Sequence, residues 1–154
     1  MSRSIVHLCG EAIIKGGKIL IAGNGGSAAQ ASHFAAELVV RYRKTRAAIP
    51  CISLSADLAV ITACANDFGY EQIFARQLEA LGRPGDVFIP LSTSMRSPNI
   101  RRAIEHCEAH GITVLPLPNF ENYDTAERQE SHLERLHRLA AGLEDYLSGP
   151  VDEP

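Results

Sequence analysis

Apolar positions along this chain switch repeatedly between helical spacing and short continuous runs, a pattern that predicts strands separated by helices. From Ser4 to Lys15 the apolar residues recur at helical spacing, and Gly16-Gly17 ends the element. Lys18 to Ala22 (KILIA) is a short apolar run expected to form a buried strand, and Ile49 to Ser55 (IPCISLS) is a second. Between them a glycine turn leads into a helix expected over Ser27 to Arg41. Ser55 or Asp57 is placed to cap a helix reaching about Ala65, which Asn66-Asp67-Phe68-Gly69 should break. Tyr70 to Leu81 is amphipathic, with Ile73, Phe74, Gln77, Leu78 and Leu81 on one side, and Gly82-Arg83-Pro84-Gly85 stops it. Asp86 to Leu91 (DVFIPL) is a third strand. Ser97 as N-cap, with Pro98 at the first helical position, opens a helix to about His110. Gly111 closes that helix, and Ile112 to Leu115 is a fourth strand. After a loop over Leu117 to Tyr123, Thr125 to Leu147 reads as one long helix, and the tail over 148–154 is expected to fray.

Strands alternating with helices predict an α/β fold. The expected architecture is a three-layer sandwich, Rossmann-like, with a mostly parallel sheet flanked by helices and one domain over residues 1–147. Ligands of such folds bind beyond the carboxyl ends of the strands. The turn after Ala22 and the loop from Leu91 to Ser97 are both expected there.

Composition narrows the function. A formal net charge of -3, with Lys and Arg spread along the chain, leaves no basic patch and argues against direct nucleic-acid binding. Cys9, Cys51, Cys64 and Cys107 lie far apart with no CxxC pair, as expected of reduced, buried thiols in the cytoplasm. No apolar run approaches the ~18 residues of a membrane span, and the N-terminus lacks the pattern of a secretory leader. A soluble cytoplasmic protein is the expectation.

Candidate chemistry concentrates in Ala22 to Arg41, AGNGGSAAQASHFAAELVVR. At 100° per residue Gln30, His33, Glu37 and Arg41 form a stripe roughly 80° wide on an otherwise apolar helix. Burying such groups is costly unless they are paired or liganded, so the stripe is expected to face a site. The i, i+4 pair His33 and Glu37 suits two ligands of one metal, or a base beside its orienting partner. The turn Gly23-Asn24-Gly25-Gly26-Ser27 combines close backbone approach with a helix N-terminus, a phosphate-binding combination that is neither a Walker loop nor a GxGxxG fingerprint. Ser92-Thr93-Ser94-Met95-Arg96-Ser97 offers four hydroxyls before a second helix N-terminus, with Arg96 adding charge. On the last helix Gln129, His132 and His137 lie near the apolar face, and periodicity leaves open which histidine belongs to a site.

Together GNGGSAAQASHFAAEL, NDFGYEQIFARQLEALGRPGDV, the STSxxSPN loop and QESHLERLH make the chain resemble the phosphoheptose isomerases of the sugar-isomerase (SIS) fold, from about Ile14 to Leu147. The resemblance implies an aldose–ketose isomerase that converts sedoheptulose 7-phosphate to D-glycero-D-manno-heptose 7-phosphate for cell-envelope polysaccharide. It implies substrate contacts from Asn24, Gly25, Gly26 and Ser27, from Asn66 and Asp67, and from Gln129. Ser92, Thr93, Ser94 and Ser97 are implied to hold the phosphate. A zinc ion is implied on His33, Glu37, Gln129 and His137, which selects His137 over His132. Glu37 is the expected base and His137 the proton donor and acceptor, while Arg41 is expected to support the site by charge. A homotetramer with active sites at subunit interfaces is implied as well.

The chain departs from the resemblance at several points. Met95 and Arg96 stand where glycine and asparagine are usual, and a glycine there serves a backbone conformation that methionine resists. An N-terminal helix and much of the stretch before the last helix are shortened. The last helix begins TAERQE rather than TARIQE, which puts Arg128 at an apolar position. The alternative reading is a non-catalytic SIS protein, either a sugar-phosphate sensor or a protein-binding factor of the DnaA initiator-associating type. That type lacks the counterparts of Glu37 and His137.

Overall fold

The computed structural model describes residues 4–148, so the tail expected to fray lies outside the described residues except for Ser148, which ends the last helix. Four short strands, β1 (Ile19–Gly23), β2 (Cys51–Ser53), β3 (Val87–Leu91) and β4 (Thr113–Val114), form one all-parallel sheet in the order β2-β1-β3-β4. Six helices accompany them: α1 (Ile5–Ile14), α2 (Gly26–Val39), α3 (Leu58–Phe68), α4 (Ala75–Leu81), α5 (Pro98–Ala109) and α6 (Thr125–Ser148). The predicted α/β architecture is therefore present.

Alternation along the strands divides the core in two. Ile19 and Ile21 of β1 and Val87, Ile89 and Leu91 of β3 pack with Phe34, Leu38, Leu136 and Leu143 on the face covered by α1, α2 and α6. Leu20 and Ala22 of β1 and Phe88 of β3 join Phe74, Leu78, Ile100 and Cys107 on the other. Both faces are sealed, which explains why the strands read as continuous apolar runs. Pro90 fits inside β3 because β4 pairs only with Val87 and Phe88, so no β4 partner is lost where proline lacks its N–H.

Several boundaries differ from those predicted, each for a tertiary or capping reason. Helix α2 stops at Val39, so Arg41 lies past its end and is exposed. The carbonyls of its last turn are taken elsewhere: Arg46 donates to the Glu37 and Leu38 oxygens at 2.8 and 2.6 Å, and the Ile49 N–H also reaches Leu38. Helix α3 continues through Asn66 and Asp67 to Phe68, and Gly69 at φ +92 ends it. The predicted Tyr70–Leu81 helix is a 3-10 turn, Tyr70–Gln72, followed by the shorter α4. All four thiols are buried, as expected, and burial pushes those of Cys9, Cys51 and Cys107 up to about 12. Among the described residues no helix is long and apolar enough to cross a membrane.

Candidate active site

The chain leaves β1 for β2 on one side, whereas β3 lies on the other side of β1, so the strand order reverses between β1 and β3. Ligands of open α/β sheets bind at such a point. The paired last residues Gly23 and Leu91 feed the two predicted ligand loops side by side. Gly25, at φ +55 and ψ -122, turns the first loop into α2 in a conformation that disfavours any Cβ. The second loop returns into α5 through Ser97 and Pro98. Two helix N-termini thus meet one crevice, an arrangement that favours an anion.

Asn24 is held across that crevice. It exchanges amide hydrogen bonds of 3.0 and 2.8 Å with the buried Asn99, and its Oδ1 also accepts from the Tyr70 hydroxyl at 3.0 Å. With its oxygen doubly occupied, Asn24 has one amide N–H left to offer a ligand. In the second loop the Ser92 hydroxyl accepts from the Met95 N–H and the Ser94 hydroxyl from the Arg96 N–H, while Asn119 donates to the Ser92 carbonyl. Asn66 and Asp67 bond to each other at 2.8 Å and are exposed at the end of α3. Asn99 and Tyr70 were not singled out in the sequence, although both sit inside its quoted SPN and FGY motifs.

A second cluster lies farther along α2. Helix α6 runs beside α2 in the same direction: Gln129 accepts from Gln30 through its carbonyl, and His137 meets Glu37. Glu37 Oε1 stands 3.1 Å from His33 Nε2 and 3.4 Å from His137 Nε2, and the two imidazole nitrogens are 3.2 Å apart. The Glu37 side chain is 11% exposed, and its Oε2 is buried without a hydrogen-bond partner. An ion held tetrahedrally at the usual Zn–N and Zn–O lengths of 2.0–2.2 Å separates its ligand atoms by about 3.3–3.5 Å. The three donor atoms, Glu37 Oε1 and the two Nε2, are close to that spacing, and the second carboxylate oxygen, Oε2, has no partner that a cation bound by both oxygens would have to displace, so these residues fit a divalent metal.

The side-chain amide of Gln129, the fourth expected ligand, packs against Gly26 at the start of α2, where a Cβ would collide with it. Gln30, part of the sequence stripe, has the structural role of tying α2 to α6. His132 is buried at 1% exposure with neither ring nitrogen bonded, and burial together with Arg135 lowers its pKa. The stripe also gave no sign of Glu144. This buried carboxylate accepts the N–H groups of Tyr42, Arg43 and Lys44 at 2.9–3.1 Å, and the Tyr42 ring stacks on His137 at 5.5 Å. Burial pushes the Glu144 carboxyl up, but those three N–H groups and the Arg46 charge outweigh it and hold it below the usual range.

Comparison with known proteins matches the arrangement to a family. The SIS domain model matches residues 3–118. The phosphoheptose isomerase of Paramagnetospirillum magneticum is 57% identical over 155 residues, covering 91% of this chain and 81% of that protein. The chain belongs to the phosphoheptose isomerase family. The Helicobacter pylori strain P12 phosphoheptose isomerase is 42% identical over 96% of this chain and 85% of its own length. Solved phosphoheptose isomerases from Neisseria gonorrhoeae and Francisella tularensis superpose with TM-scores of 0.81 and 0.83 at 30% and 31% identity, each over 90% of this chain and 82% of theirs.

Against the phosphoheptose isomerase pattern, the departures noted in the sequence acquire physical content. Met95 adopts φ +53, the left-handed conformation that a glycine at this point serves. Arg128 does not enter the core. Its guanidinium donates to the carbonyls of Thr93, Phe120 and Glu121 at 3.1–3.3 Å, which ties the second ligand loop to the connector before α6.

Proposed function

We propose that this enzyme interconverts sedoheptulose 7-phosphate and D-glycero-D-manno-heptose 7-phosphate in the cytoplasm, for cell-envelope heptose synthesis, with residues 1–147 acting as one SIS domain. The observation that carries this reading is the convergence of His33 and His137 on one carboxylate oxygen of Glu37, whose other oxygen is buried without a partner, in a member of this family. The phosphate sits where the Gly25-Gly26-Ser27 turn and the hydroxyls of Ser92, Thr93, Ser94 and Ser97 meet, and Asn24 donates its remaining N–H to the sugar. Moving the carbonyl from C2 to C1 requires a proton to leave C1 and one to arrive at C2 through an enediolate. Glu37 takes the C1 proton and returns it at C2, while His137 gives a proton to O2 and accepts one from O1. Zinc on His33, Glu37 and His137, joined by Gln129 once its amide leaves Gly26, would supply Lewis-acid polarisation of the carbonyl, and Glu37 and His137 would loosen from it to make their proton transfers. Of the non-catalytic alternatives, the DnaA initiator-associating type lacks this Glu–His pair, and no observation favours a sugar-phosphate sensor.

Within one chain Glu37 lies eleven residues along α2 from Gly26, about 16 Å at 1.5 Å per residue. Sites completed by a second copy belong to the homotetramer implied by the resemblance. Helix α3 supports self-association: it reads LAVITACANDF, yet only Cys64 is buried, and Leu58 and Phe68 are 73% and 56% exposed. A cavity of about 770 Å³ beside it, lined by Ile52, Val60, Gln77 and Leu81 among others, belongs to this face rather than to the chemical groups. Asn66, Asp67 and Arg41 are exposed, and in the assembly they would be free to reach the site of a neighbouring copy.

The test is turnover of sedoheptulose 7-phosphate with and without zinc. Glu37→Gln and His137→Gln should each lower kcat at least about 100-fold. Absence of turnover by the wild-type protein, or equal turnover by the variants, sinks the proposal.

A further inference from the structure

Two buried charges near the metal-fitting cluster have no part in the chemistry proposed above. The side chains of Arg46 and Glu144 are 6% and 1% exposed, with Arg46 Nε 3.4 Å from Glu144 Oε1. Burying such a pair is expensive, and well-packed apolar residues in its place are often as stable or more so, so its retention points to a demand on geometry. Each member grips backbone on a different side of the cluster. The Arg46 guanidinium binds the carbonyl of Glu37 itself and that of Leu38, which fixes the last turn of α2. Glu144 binds three successive N–H groups just beyond that helix, and the first belongs to Tyr42, whose ring lies on the His137 imidazole with 14° between the planes. Glu144 is also seven residues after His137 on α6, two turns later on nearly the same face. The connections close a ring: Glu37 to Arg46, Arg46 to Glu144, Glu144 to Tyr42 and along α6 to His137, and His137 back to Glu37.

We propose that Arg46 and Glu144 are positioning residues that hold Glu37 and His137 at the separation a metal ion and the proton transfers require. The pair touches neither substrate nor ligand atoms. It acts by fixing the α2 carbonyls from one side and the His137 ring from the other. This inference rests on the isomerase reading for its effect on turnover, but its effect on metal affinity stands independently of any sugar.

Zinc affinity of the metal-free protein, measured by competition with a chelating dye, is the direct readout. Arg46→Lys, which keeps the charge but loses the paired contacts to two carbonyls, and Glu144→Gln, which keeps the shape but loses the charge, should each weaken zinc by about 10–100-fold. With sedoheptulose 7-phosphate, kcat should fall at least about tenfold while KM stays within about threefold. Leu78→Ala, a cavity variant on the opposite face of the sheet, should lower Tm at least as far yet leave zinc affinity within about twofold. Zinc affinity unchanged in both pair variants overturns the proposal, as does an equal loss in Leu78→Ala. If neither pair variant folds, Tyr42→Leu decides, because it keeps the backbone N–H that Glu144 binds. Its zinc affinity should drop by about threefold or more, and an unchanged value overturns the proposal. Weakened zinc in the variants with no turnover by the wild-type protein removes the isomerase reading and leaves the positioning pair standing. A wild-type protein that binds no zinc overturns the positioning proposal, and turnover of the sugar phosphate then decides the isomerase reading by itself.

Discussion

Exchanging Met95 for glycine should stabilise the protein, because the residue occupies a backbone conformation that its Cβ opposes. Met95 is the one non-glycine residue among the described residues at positive φ, +53. An L-residue in that region carries about 1–2 kcal/mol of strain. Glycine removes the strain but loses more chain entropy on folding, about 0.5–1 kcal/mol, so the net gain for glycine over alanine is about 0.5–1 kcal/mol. The bond from the Met95 N–H to Ser92 Oγ, 2.9 Å, uses only the backbone of residue 95 and survives either exchange. Met95→Ala is therefore the matched reference: it drops the thioether and keeps the Cβ. In urea unfolding with a slope of ~2 kcal/mol/M, the midpoint of Met95→Gly should exceed that of Met95→Ala by roughly 0.3–0.5 M at unchanged slope. A glycine midpoint equal to or below the alanine midpoint would refute the claim that the loop is strained at this residue.

Other perturbations test separate parts of the structure. His132 is buried with both ring nitrogens unbonded and a pKa below its ordinary 6.5, so the unfolded chain binds its proton first as pH falls, and stability declines from about pH 6.5 downward through the folded pKa. His132→Leu should raise stability at pH 7 by about 1 kcal/mol and remove this decline, read from thermal midpoints between pH 7 and 5. Arg128→Met loses three carbonyl contacts and frees the Thr93 backbone. It should raise KM for the phosphosugar by about tenfold with a much smaller change in kcat, measured under steady state.

How far the sequence reached depends on the range of each interaction. The strands and α2 were legible because KILIA and DVFIPL are sealed on both faces and the α2 pattern is local. Ser4 and Asp57 cap α1 and α3 with their own side chains, also a local signal. The end of α2 was not legible, since it depends on Arg46, whose hold on the α2 carbonyls comes after a turn that no helical period encodes. Glu144 was missed for a similar reason: its partners, Tyr42 to Lys44, lie about 100 residues earlier. Helix α3 outran its predicted end because Asn66 and Asp67 keep helical geometry until Gly69 supplies the stop. In the site, the His33–Glu37 pair followed from spacing, whereas the choice of His137 over His132 needed the resemblance, and the structure separates them by burial and contact. Asn99 and Tyr70 act only through Asn24, and nothing local marks such a supporting bond.

Proton transfer itself gives the most direct test of the isomerase reading. Incubating the zinc-loaded wild-type protein with sedoheptulose 7-phosphate in D2O and following both sugars by NMR should show a heptose 7-phosphate aldose carrying deuterium at C2 in at least part of the product, with none formed by Glu37→Gln. No aldose from the wild-type protein, or aldose formed as fast by Glu37→Gln, would contradict proton transfer through an enediolate at Glu37.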